Sequence, residues 1–167
     1  MLNQSVVTAV VCAVRTRYLQ QHLAPSYFQI NNGLCEDFAL DVIRELRGAG
    51  IEAQDFCNEN FQKGDGSWNW TLLVEHWSID CPRSLLPREV DQLRFGGHVW
   101  VEAQKRFYDS ECPEGVSSLF ELPIFRRHIV YALRNKGISA PEVITDDVVP
   151  APRCPIADPG QIADLTL

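Results

Sequence analysis

Three residue types in this chain stand at spacings that could support chemistry. Cys35 lies in Gly33-Leu34-Cys35-Glu36-Asp37-Phe38-Ala39, where Leu34, Phe38, Ala39, Val42, Ile43 and Leu46 recur at helical spacing. The thiol therefore belongs in the first turn of an amphipathic helix. Unpaired backbone N–H groups and the helix dipole favour negative charge there, which raises the thiolate fraction. Glu36 and Asp37 share that turn, where the dipole also favours them, and Gly48 is the stop signal. His98 follows Gly96-Gly97 and opens a strand-like run, His98-Val99-Trp100-Val101-Glu102. A polar turn over 103–105 returns the chain as Arg106-Phe107-Tyr108-Asp109, which reads as a β-hairpin.

An even-numbered hairpin loop pairs residue 102 with 107 and 100 with 109. Side chains alternate along a strand, so His98, Trp100, Phe107 and Asp109 then share one face. Asp109 lies diagonal to His98, about 7–8 Å away between backbone positions, within reach of a side-chain hydrogen bond. A carboxylate there would fix the imidazole tautomer and stabilise its protonated form. Glu111 lies directly opposite His98 in the same register and competes for that place, and a shift of one residue would remove both. His98 is the candidate general base and acid for a Cys35 nucleophile.

The order of cysteine on a helix, histidine on a strand and aspartate on the next strand resembles the papain-like and transglutaminase-like cysteine enzymes, a superfamily that includes the arylamine acetyltransferases. The resemblance rests on Gly33 to Ala39, on His98-Val99-Trp100-Val101 and on Tyr108-Asp109, and spans roughly residues 27–112. Short Cys-His-Asp proteins of phages and bacteria are similar too. The resemblance implies an α+β fold, a nucleophile helix packed on an antiparallel sheet that carries His and Asp. It implies Cys35, His98 and Asp109 as catalytic residues. Gln29, six residues before Cys35, resembles the oxyanion glutamine of papain-like proteases, with Asn31 or Asn32 as alternatives. One departure stands out: transglutaminase-like sequences carry a longer, Trp-containing return before Asp-Pro, whereas this return is short and continues Asp109-Ser110-Glu111.

Other elements must hold these residues in place. Ser5 is an acceptable N-cap for a helix over 5–22, with Val6, Val10, Val14 and Tyr18 in one stripe, Val7, Val11 and Leu19 beside it, and Pro25 ending it. Tyr27 to Ile30 leads into an Asn31-Asn32-Gly33 turn, and a short strand is expected between Ile51 and Phe56. Trp68 to Glu75 reads as a strand or a short buried helix, and 88–95 as one or two helical turns. Phe120 to Tyr131 is apolar and basic by turns, compatible with a strand or a helix. Residues 1–140 read as one domain and 141–167 as an extended tail, where Pro and Asp alternate without a period.

The chain's 167 residues suit one domain, and 46% apolar with 22% charged residues excludes a largely disordered chain, a collagen-like repeat and a coiled coil. With 22 acidic against 15 basic residues, its net charge of −7 disfavours nucleic acid and anionic membranes as partners. The longest apolar run, Val6 to Val14, falls short of the roughly 20 residues of a membrane span and reads as a buried helix rather than a signal peptide. Six cysteines without a CxxC give a zinc site no spacing support, and His76 with Cys81 is a weak ligand pair, so no metal or cofactor is expected. Reduced thiols in a cytoplasm are the expectation. The leading function is a cysteine hydrolase or acyl transferase acting on an amide or isopeptide bond of a protein or peptide substrate. The alternative is a non-catalytic binding protein on the same fold that blocks a host factor.

Overall fold

The computed structural model describes residues 2–57 and 97–139. Trp68 to Glu75, the turns at 88–95, His76, Cys81 and the 141–167 tail lie outside the described residues. The described part is α+β: helices packed about a small antiparallel sheet.

Helix α1 runs Leu2–Gln20, starting before Ser5. Its buried face is Val7, Val11, Val14 and Tyr18, with Val6 and Val10 only partly covered. Val side chains lose rotamer freedom in a helix, so packing rather than intrinsic propensity holds α1. It stops five residues short of Pro25. His22 takes a left-handed φ of 57°, its N–H donates to Leu19 O and the Leu23 N–H donates to Tyr18 O. This Schellman closure satisfies the last carbonyls before the proline is reached.

Ser26 caps a short helix, α2 (Tyr27–Asn31), by accepting the Gln29 N–H, where the sequence suggested only an approach to a turn. Helix α3 spans Cys35–Gly48 and buries Phe38, Ala39, Val42, Ile43 and Leu46, the face its spacing predicts. Gly48 is the last residue of the helix, as its stop signal predicts. The reversal falls at Gly50, whose φ of 72° lets the Ile51 N–H reach Leu46 O at 2.9 Å.

The sheet has the order β1-β2-β3, from β1 (Ala53–Cys57), β2 (Val99–Ala103) and β3 (Arg106–Tyr108), all antiparallel. Val101 pairs with Tyr108, Glu102 with Phe107 and Ala103 with Arg106, the register expected from the even-numbered loop. Gln104 and Lys105 make the turn with φ of 53° and 60°, a two-residue connection whose twist matches the strands. Val99, Val101, Ala103 and Tyr108 face the α1–α3 core, while Trp100, Phe56 and Phe107 face a second cluster. That cluster is completed by a 3-10 turn (Leu119–Glu121) and helix α4 (Pro123–Asn135), whose Pro at the first turn needs no N–H partner. The segment left open between strand and helix is thus a helix, covering the sheet face opposite α3.

Cys12 is disulfide-bonded, whereas Cys35 and Cys112 are free thiols. This corrects the expectation of uniformly reduced thiols. Spacing gave no sign of it, because a disulfide needs proximity in space and not in sequence. Among the described residues no helix is long and apolar enough to cross a membrane.

Gly115 follows β3 with a φ of 65°, and a Cβ on it would run into the Tyr108 ring. Gly115→Ala should therefore cost about 1–3 kcal/mol from overpacking, with further loss from the left-handed backbone. Urea denaturation with an unchanged midpoint would show that the Tyr108 ring yields freely.

Candidate active site

Cys35 is the first residue of α3, and its half-buried sulfur lines a cavity of about 540 Å³ together with Asn31, Asn32, His98, Phe125 and His128. No side chain caps this helix, so the N–H groups of its first turn have no acceptors within the helix. The Glu36 N–H and the Val99 N–H both act on the sulfur, as does the His98 side chain. Packing of α3 across the β1–β2 pair brings the helix start beside the residue that opens β2.

His98 immediately precedes β2 and is 1% exposed. Its ring lies edge-on to Phe125, with centroids 5.6 Å apart, and against Trp100 at 6.4 Å. Asp109, also 1% exposed, follows β3. Its Oδ2 is 3.2 Å from His98 Nε2, while Oδ1 accepts the Glu111 and Cys112 N–H groups, each at 2.9 Å. With Nε2 engaged by Asp109, Nδ1 is the ring nitrogen left for the thiol.

Glu111 does not take the place next to His98. Its carboxylate accepts both guanidinium nitrogens of Arg127, at 2.9 and 2.7 Å, and the Asn31 amide at 2.9 Å. Between these two carboxylates, Ser110 Oγ lies 2.7 Å from both Tyr27 O and Asn31 Oδ1, so one proton serves two acceptors. Arg15 of α1 donates to Ser110 O at 3.2 Å and lies over the Tyr27 ring.

The structure does not bring Gln29 to this cavity. Its side chain is exposed on α2, and its backbone N–H serves the Ser26 cap. Asn31, two residues on, turns inward instead, and its amide is committed to Glu111. Asn32 lines the cavity, with its amide on Phe28 O at 2.8 Å. Sequence reading also missed Cys57, Phe125, Arg127 and His128. Phe120 to Tyr131 reads in sequence only as apolar and basic by turns, because no clear period shows which side of the segment faces the sheet.

No family model, curated protein or solved structure matches this chain. What the site can do must be read from its own geometry and electrostatics.

Burial pushes the Cys35 thiol up, but the His98 hydrogen bond, the Val99 and Glu36 N–H groups and the imidazolium charge together hold it below the ordinary thiol value. Burial pulls His98 down, yet Asp109 and Cys35 raise it to about 9. Above the lowered Cys35 value and below about 9 the arrangement therefore favours a thiolate–imidazolium pair, whose titration belongs to both groups. His98, being raised, stabilises the fold in full below its ordinary 6.5, and that contribution is lost as pH climbs through about 9. Cys35, being lowered, contributes in full above its ordinary 9.0, and that contribution is lost as pH falls through its folded value. Cys112 is buried and pushed far up, which makes it inert. His128 is lowered by burial and by the nearby Arg127 and His98 charges.

Iodoacetamide should accordingly modify Cys35 much faster than Cys112, with a pH inflection below 9.0. His98→Ala should move the inflection upward. Peptide mass mapping across a pH series reads both, and a wild-type inflection at the ordinary value would remove the ion pair.

Proposed function

We propose that this protein is a cysteine-dependent hydrolase or acyl transferase acting on an amide or isopeptide bond of a protein or peptide substrate. The observation that carries this reading is the buried Asp109–His98 contact at 3.2 Å, next to a thiol at a helix N-terminus that opens onto a cavity. In this reading Cys35 Sγ attacks the carbonyl carbon, a C–S bond forms, and the carbonyl electron pair moves onto oxygen. The Cys35 N–H, without an acceptor in its helix, is one donor to that oxyanion. Collapse breaks the C–N bond, and the leaving amine takes its proton from His98 Nδ1. Water or an amine then attacks the thioester while His98 accepts its proton, and the thiol leaves. Hydrolysis, deamidation and transamidation share the first half of this sequence and differ in the second nucleophile.

The same reading takes the α3 helix on its antiparallel strands as a papain-like or transglutaminase-like core, with Cys on the helix, His just before β2 and Asp just after β3. A structural disulfide persists in oxidising compartments, so the one at Cys12 withdraws the support that reduced thiols lent to a cytoplasmic location. Asp109 serves as the positioning carboxylate rather than as an acid, since both of its oxygens already accept hydrogen bonds.

Ubiquitin-like, peptidoglycan and peptide electrophiles offered as a panel should form an adduct on Cys35, and the reactive class becomes the substrate for assays. Against that substrate Cys35→Ala should be inactive, and His98→Ala should lose about 10²–10⁴-fold in turnover with the fold intact. Asp109→Asn should cost less than either. Turnover should fall on the alkaline side near pH 9 as His98 loses its proton. Retained turnover in both Cys35→Ala and His98→Ala would defeat the mechanism. Tight binding of a partner without any adduct would favour the non-catalytic alternative.

A further inference from the structure

Helix α4 touches the site in two ways within one turn. Phe125 and His128 line the cavity, and Arg127, between them, reaches past it to the chain that leaves β3. There it grips both oxygens of Glu111, a geometry that fixes direction as well as charge. The Glu111 carboxylate is only 10% exposed, and it also accepts the Asn31 amide from α2. Two helices thus pin one carboxylate. The backbone N–H of this same Glu111 donates to Asp109 Oδ1 at 2.9 Å, which leaves Oδ2 directed at His98.

We propose that Arg127 and Glu111 are positioning residues for the Cys35–His98 pair, acting through the Glu111 N–H on the orientation of the Asp109 carboxylate. The inference rests on the cysteine-enzyme reading above. It assigns a task to two residues which that reading leaves unused. It also ties the orientation of Asp109 to the helix that walls the cavity, because Arg127 and the lining residues Phe125 and His128 move together. If the clamp loosens, Asp109 turns, the imidazolium loses its partner, and the thiolate loses the charge that holds it.

The charged and ionisable groups around this line are Arg15 on α1, Glu36 on α3, Cys112 beside Asp109, and His128 on α4. None of them is altered by the test. Removing Arg127 takes away a positive charge, and removing Glu111 takes away a negative one. A direct field effect would therefore move the Cys35 titration in opposite directions in the two variants. Lost positioning moves it the same way in both.

The experiment is the pH dependence of Cys35 alkylation by iodoacetamide in Arg127→Met, Glu111→Gln and Arg127→Lys, with thermal melts alongside. Arg127→Met and Glu111→Gln should both raise the inflection, and an upward shift of one pH unit would slow alkylation about tenfold below it. Arg127→Lys keeps the charge but loses the fork, and should recover part of the shift. Arg126→Met, whose partner Glu121 stands on the turn before α4, is the control and should leave the inflection in place. If a single variant fails to fold, the double variant Glu111→Leu/Arg127→Met removes both charges from the partly buried pair and carries the same expectation. Folded variants with the wild-type inflection overturn the proposal, as does a downward shift in Glu111→Gln. A wild-type inflection already at the ordinary thiol value removes the underlying ion pair. A depressed wild-type inflection that the variants leave unmoved removes the positioning role alone.

Discussion

A carboxylate that loses its water must find hydrogen bonds elsewhere, and Asp109 is the point at which this fold meets that requirement. It is almost wholly buried, and its oxygens take two backbone N–H groups and one imidazole N–H. An ionised carboxylate left unpaired at such a depth would be costly. The chain after β3 must therefore turn back on itself so that the Glu111 and Cys112 amides reach Oδ1. Ser110 and Glu111 lock that turn from outside, through α1 by Arg15, through α2 by Tyr27 and Asn31, and through α4 by Arg127. Helix α4, whose apolar side chains belong to the second cluster, is thus joined to α1 and α2 at a polar centre. The two hydrophobic clusters lie on opposite sheet faces, and this centre sits where their edges meet.

The site was legible in sequence wherever a single local rule decided it. The α3 face followed from the spacing of Phe38, Val42 and Leu46, which placed Cys35 at the helix start. The hairpin register followed from an even loop and strict alternation, and so Asp109 could be placed diagonal to His98 from arithmetic alone. Non-local packing erased that clarity elsewhere. Gln29 has the family spacing, but α2 is only five residues long, and its inward face carries Ile30 and Asn31 rather than Gln29. Glu111 and Asp109 could not be separated by register, because Arg127, sixteen residues further on, decides between them. The bounds of α1 were misplaced for a related reason. The capping bonds at His22 depend on a backbone conformation that Pro25 does not report.

The thiol's electrostatics draw on two sources of different origin. The Glu36 N–H and the start of α3 act locally, and any folded version of this helix would supply them. The Val99 N–H and the His98 charge are supplied only when the sheet packs against the helix in its native register. The helix terminus by itself offers a modest bias, since dipole effects are typically about 0.3–1 kcal/mol at exposed sites. The largest influence favouring the thiolate is the imidazole, and Asp109 helps the imidazole keep its proton. Reactivity at Cys35 is therefore a property of tertiary structure, even though its position is a property of local sequence.

This division bears on why the imidazole is enclosed while the sulfur is not. His98 sits between Trp100 and Phe125, where water cannot compete for Nε2 or loosen the ring. Burial opposes its charge, and the carboxylate and the thiolate that flank the enclosed ring both favour its proton. Cys35 in contrast keeps one side on the cavity, as the proposed nucleophile needs if a carbonyl is to approach it. In the proposed reaction the thiolate is consumed by bond formation, and one of the two groups that sustain the imidazolium disappears. The ring then gives up its proton more readily, at the moment a leaving amine would need one. The same enclosure that stabilises the resting ion pair thus makes proton release follow from attack, without any further group having to move.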